Sequence, residues 1–261
     1  MAWNPLATQF CLELAFGVLL ALALVSRAPL GVLFFRLMGT SALLPSLLAV
    51  AMPLAADRSR WSEPAVFFAA GAVALYPVYS GPVRASRRRI VLWLALACAG
   101  AALVASVRSV PAAADPLPLL VASLSALATG SVAGSVGLAM VLGHWYLTIP
   151  DLEVSHLARL NRATVTCMLV SLAAIGTSCL VFEGSLASAR TPLLGPWGLF
   201  HLGTRLAVGL LLPLLFAWMV ADSLRCRNTR SATGILYAST VLVLIGTAVS
   251  ISLQDSYGIP L

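Results

Sequence analysis

The sequence predicts an all-α, polytopic membrane protein, and three observations carry that expectation. Of its 261 residues, 60% are apolar and 10% charged, with a mean hydropathy of +0.97. Eight apolar stretches approach or exceed the roughly 20 residues that a spanning helix needs. The connecting loops are short, and their arginines are sorted by side. A soluble domain carries about 45–50% apolar and about 25% charged residues. This chain has too few charges to cover a water-facing surface, which excludes a soluble enzyme, a nucleic-acid-binding domain and a disordered chain.

The expected transmembrane helices lie at about 8–26, 30–54, 65–81, 90–107, 118–148, 163–182, 197–221 and 235–253. Charged and turn-forming residues separate them, such as Asp57-Arg58-Ser59-Arg60, Arg84 to Arg89, Asp115-Pro116 and Arg225 to Arg230. No loop is long enough to fold as a soluble domain. The expectation is one integral membrane domain over 1–261, divisible into two four-helix bundles. The opening Met1-Ala2-Trp3-Asn4-Pro5 has no basic residue, whereas a cleaved signal peptide begins with a positive region, so it reads as a retained first helix.

All 16 basic residues are arginine. With the N-terminus outside, Arg27, Arg36, Arg84, Arg87, Arg88, Arg89, Arg159, Arg162, Arg225, Arg227 and Arg230 fall inside. Arg58, Arg60, Arg108 and Arg190 fall outside. Cytoplasmic loops are enriched in arginine. The asymmetry therefore places both termini on the outer, periplasmic side of a bacterial-type inner membrane. It also explains the +7 net charge and the pI of 9.7 without a nucleic-acid partner. Gly130 and Gly134 are spaced for close helix contact. Pro45, Pro77 and Pro213 predict kinks, and Trp197 and Trp218 bracket the seventh span as interface aromatics do.

Ionisable groups inside a span are costly and mark a site or an internal pair. Two constellations stand out. The outer one holds Gln9 and Glu13 on the first helix and His201 and Arg205 on the seventh, each pair at i,i+4 spacing. Both helices run inward from the outside, so the four residues share a depth, with Glu183 nearby. One reading is a Glu13–Arg205 ion pair that locks the two helices together. The other is a quinone site in which Glu13 and His201 exchange protons and Arg205 fixes the carboxylate or a quinone oxygen.

The inner constellation is Gly143-His144-Trp145-Tyr146 with Pro150, Asp151, Glu153, His156, Arg159 and Arg162, and Arg36 facing it. His144 and Tyr146 are candidate cofactor contacts, and His144 is a candidate haem b ligand. The alternative is interfacial anchoring by an aromatic-rich helix end. His144 and His201 sit near opposite ends of their spans, on the order of 25 Å apart at 1.5 Å per residue. One haem is not held by both, so a haem needs His144 with His156, or a second ligand of another kind. The scattered Cys11, Cys98, Cys167, Cys179 and Cys226 form no metal-ligand pattern, and no metal site is expected. A stand-alone small-solute transporter is the remaining alternative, although no pair of corresponding broken helices stands out in the two halves.

The eight spans, the outer termini, the scarcity of soluble mass and the polar first helix together resemble the quinol-interacting membrane anchor subunits of polysulfide and dimethyl sulfoxide reductases. Trp3-Asn4-Pro5-Leu6, followed by Gln9 and Glu13, is similar to the N-terminal helix of that family. The resemblance implies a quinone-reactive subunit of a multisubunit respiratory complex. Its partner would be an iron–sulfur or cytochrome subunit, and its site residues Gln9, Glu13, His201 and Arg205.

Overall fold

The computed structural model describes residues 3–108, 115–149, 152–189, 191–259 and 261. Pro150, Asp151 and Arg190, named above, lie outside the described residues. All regular structure among the described residues is helical. Besides short helical turns at Arg58–Ser62 and Glu183–Ser188, eight main helices follow in order among the described residues: α1 Trp3–Leu24, α2 Gly31–Ala56, α3 Pro64–Tyr79, α4 Ala85–Arg108, α5 Pro116–Thr148, α6 Ser155–Val181, α7 Pro196–Arg225 and α8 Thr229–Tyr257. Seven are long and apolar enough to cross a membrane, and α3 is the shorter exception.

The helices outrun the apolar stretches at their polar ends. α4 begins at Ala85 rather than 90, α6 at Ser155 rather than 163, and α8 at Thr229 rather than 235. Helical hydrogen bonding continues into the polar flanks, so hydropathy marks the apolar part of a helix and not its end. Pro64, Pro116 and Pro196 sit in the first turns of their helices, where a missing N–H leaves no bond unmade. Asn228 caps α8 by accepting the Ser231 N–H at 3.0 Å. Gly258, at φ +69°, closes α8 in the left-handed conformation. In the loop after α2, Asp57 accepts the Ser59 N–H at 2.8 Å and its hydroxyl at 2.7 Å. Those two bonds hold its carboxyl below the usual carboxylate range.

The three expected kinks have different outcomes. α2 runs through Pro45 without a break. α3 bends at Leu75, two residues before Pro77. α7 contains a π-turn at Ala207–Leu211, directly before Pro213. A proline has no N–H for the carbonyl four residues back, and a wider turn relieves that mismatch.

α5 is the central post, with 78% of its apolar window buried against 28% for α6 and α7. Its composition explains this. Gly130, Ser131, Ala133, Gly134 and Ser135 present almost no side chain, so neighbouring backbones approach closely. A Cβ on Gly130 would overlap the Glu13 carbonyl, and one on Gly134 would overlap the Gly17 carbonyl carbon. Residue 13 thus meets 130 and residue 17 meets 134, so α1 and α5 run parallel. α3 packs beside α2 in the opposite sense, with Tyr79 against Gly39 and Val66 near Ala49 and Pro53.

The outer surface is apolar too. Leu33, Phe67, Leu180, Leu194 and Trp197 are all more than 60% exposed. Buried small residues inside and large apolar residues outside mark a multi-pass protein in contact with lipid tails rather than water.

Candidate functional site

The first turns of α1 carry the expected pair. Four residues apart, Gln9 and Glu13 share a helical face, and Gln9 Nε2 donates to Glu13 Oε1 at 3.2 Å. Both are 4% exposed. A third member comes from the other end of the chain, where Gln254 Nε2 on α8 donates to Gln9 Oε1. Gln254 is also buried. α8 packs against α5 and reaches α1 in this region, which brings residues 245 apart into one hydrogen-bonded chain. Sequence reasoning missed Gln254. Its only signal was a glutamine ending an otherwise apolar run.

Arg205 on α7 lies across α5 from this chain. It is fully buried, at 0% exposure. Nη2 donates to Thr129 Oγ1 at 2.9 Å, while Nε and Nη1 have no hydrogen-bond partner among the described residues. Thr129 precedes Gly130, which touches the Glu13 backbone, so the carboxyl and the guanidinium flank the same turn of α5. They are near enough to interact through space but not within 4 Å of each other. The salt bridge among the described residues is Arg60–Glu63, at 2.6 Å.

His201 does not join them. Its ring packs on Trp197 and Phe200, with centroids 5.9 and 5.6 Å away, and its Nδ1 is bonded to the Trp197 carbonyl at 2.8 Å. Four residues advance a helix by about 40° beyond a full turn. That offset lets Arg205 turn inward while His201 stays with the aromatic outer face. Glu183 is exposed at the head of a short helix, Glu183–Ser188.

The inner constellation is used largely for packing. Trp145 meets Phe34 edge-on at 5.4 Å, and the buried Tyr146 donates its hydroxyl to the Glu153 carbonyl. His144 is exposed, and its Nδ1 is paired with the Tyr237 hydroxyl at 3.3 Å. His156 lines a hollow of about 30 Å³ with Arg27 and Arg159. Arg36 is exposed on α2. Among the described residues no three His, Cys, Asp or Glu side chains cluster as metal ligands.

Two cavities adjoin the outer cluster. One, of about 530 Å³, is enclosed by α1, α2, α3, α4 and the end of α8, with Thr8, Gln9, Arg60, Glu63, Ser106 and Gln254 as its polar wall. The other, of about 730 Å³, is an apolar trough between α1, α3, α4 and α5. Pro64 and Ala105 line both, so the two spaces adjoin. Ligand pockets of about 300–1,000 Å³ with a few convergent polar groups suit small organic molecules. The fold and this arrangement define a class: a multi-pass helical membrane protein with a polar cavity at one end of the bundle and an apolar trough beside it. No family profile, characterised protein or solved structure matches the chain.

Proposed function

We propose that this chain is the quinone-interacting membrane subunit of a multisubunit redox complex. The observation that carries the reading is the 530 Å³ cavity, whose wall includes the amides of Gln9 and Gln254, with the Glu13 carboxyl hydrogen-bonded directly behind Gln9. The residues suit a quinone head. Each amide has a second N–H beyond the bond it already makes, and an N–H is the donor that a quinone carbonyl accepts. Arg60 is matched by Glu63, so the cavity presents dipoles rather than net charge. A quinone exchanges protons as it is reduced or oxidised. Glu13 is placed to hold one, and Arg205 supplies positive charge across the α5 turn. His201 takes no part in this reading, and electrons come from or go to a partner subunit.

Eight crossings accompany the proposal, with α3 as a short third span. The parallel run of α1 and α5 supports it, because an even number of crossings must separate the entry of one from the entry of the other. Three spans between them (α2, α3 and α4) satisfy that condition, and two do not. Both termini then lie on the arginine-poor, periplasmic side of the inner membrane. Single cysteines at Pro5 and Gly258, in a background lacking the native five, should be labelled by an impermeant maleimide from the same side. Labelling from opposite sides removes the third crossing.

The function is tested with the purified complex in nanodiscs, titrated with a short-tailed benzoquinone and a short-tailed naphthoquinone. Saturable binding of at least one is expected. Gln9→Leu and Gln254→Leu should each weaken it by about tenfold, equivalent to about 1.4 kcal/mol. Absence of saturable binding to the wild type, or unchanged binding in both variants, refutes the proposal.

A further inference from the structure

The 730 Å³ trough extends along α4 from Trp93 to Arg108, with Phe16, Phe68, Gly100 and Val104 among its walls. Fifteen residues of helix correspond to about 22 Å. One leaflet of a hydrocarbon core about 30 Å thick is about 15 Å deep. The trough therefore continues past the depth at which a phospholipid tail from either leaflet ends. Gly100 lies at its middle, where a Cβ would stand 3.3 Å from the Phe16 ring, so α4 packs closely on α1 there and the ring forms the floor of the trough. Arg108 is the charged side chain in the lining, and it lies at the end nearest the polar cavity. The trough adjoins that cavity at Pro64 and Ala105, which line both.

We infer that the trough holds the polyisoprenoid tail of a neutral-headed lipid whose head occupies the Gln9–Gln254 cavity. The inference rests on the quinone reading and adds the tail class to it. Three features select this occupant over an annular phospholipid. The length exceeds one leaflet. The space adjoins a polar cavity. The cavity's own Arg60 and Glu63 are paired and offer no net charge to a phosphate, and Arg108 lines the trough rather than the cavity.

The test uses the full chain in phosphatidylcholine nanodiscs and two ligands with the same quinone head, one with a long polyisoprenoid tail and one with a short alkyl tail. Two variants narrow the trough. Ala101→Leu fills its middle from a half-buried position, and Ala97→Phe adds a ring from an exposed one. Both should weaken the long-tailed ligand by about tenfold and leave the short-tailed one within about twofold, whereas Gln9→Leu should weaken both. If the short-tailed ligand binds but neither narrowed variant affects the long-tailed one, the tail site is wrong and the quinone reading stands. Equal losses for both ligands, or displacement of the long-tailed ligand by excess phosphatidylglycerol, also overturn the inference. If neither ligand binds the wild type, both readings fall together.

Discussion

Gly134→Ala should cost about 3 kcal/mol or more and should be the most damaging single-methyl change in the protein. Overpacking in a close-packed interior costs typically 1–3 kcal/mol when side chains can shift. Here they cannot. The new Cβ would overlap the Gly17 carbonyl and the Val18 nitrogen, which are backbone atoms held by the α1 ladder. Relief requires α1 to move away from α5, and α1 also packs on α2 and α4. Gly17→Ala should behave alike, because its Cβ would overlap the Gly130 carbonyl. Gly176→Ala, on α6, has nothing within 4 Å of the added atom and serves as the control. Thermal unfolding in detergent reads the comparison. Equal melting temperatures for the variants of Gly134 and Gly176 would show that the α1–α5 contact is looser than described.

Arg205→Met should destabilise the protein by about 3 kcal/mol, and adding Glu13→Gln should restore most of the loss. Removing one member of a buried charge pair typically costs 3–5 kcal/mol, because the other is left uncompensated. Glu13 and Arg205 are buried on either side of the Thr129–Gly130 turn, in a bundle with little other charge. In the double variant no charge remains to be compensated. The two guanidinium nitrogens that have no partner among the described residues are gone as well, so its stability should approach or exceed that of the wild type. The four-protein cycle, followed by unfolding in mixed micelles, gives the coupling directly. A double variant no more stable than Arg205→Met alone would show that the two side chains do not sense each other.

Much of this architecture was legible because a bilayer simplifies the reading. Long apolar runs had to become helices, since no other open segment satisfies its backbone in hydrocarbon. The Gln9–Glu13 pair was legible for a similar reason, because i,i+4 spacing on one helix fixes proximity without knowledge of the fold. The same spacing misled for His201 and Arg205. Shared sequence spacing places two residues on neighbouring faces, but which face meets lipid depends on the helices alongside. Phe200 and Trp197 drew the imidazole outward, while Thr129 of α5 accepted the guanidinium inward. The third apolar stretch was expected over 65–81, and its break at Leu75 falls two residues before Pro77, whose missing N–H interrupts the helical ladder without changing the hydropathy.

By itself, the sequence determined that the chain is helical, that it belongs among lipid tails, where its helices lie, and that Gln9 and Glu13 share one face of the first. These follow from residue chemistry and from spacing along a single helix. Tertiary structure alone decided that Gln254 completes the amide chain, that Arg205 is separated from Glu13 by a turn of α5, and that a trough adjoins a polar cavity at Pro64 and Ala105. Each of these depends on how closely and at what register separate helices meet. That is set by side-chain volume summed across several helices, a quantity no one stretch of sequence contains.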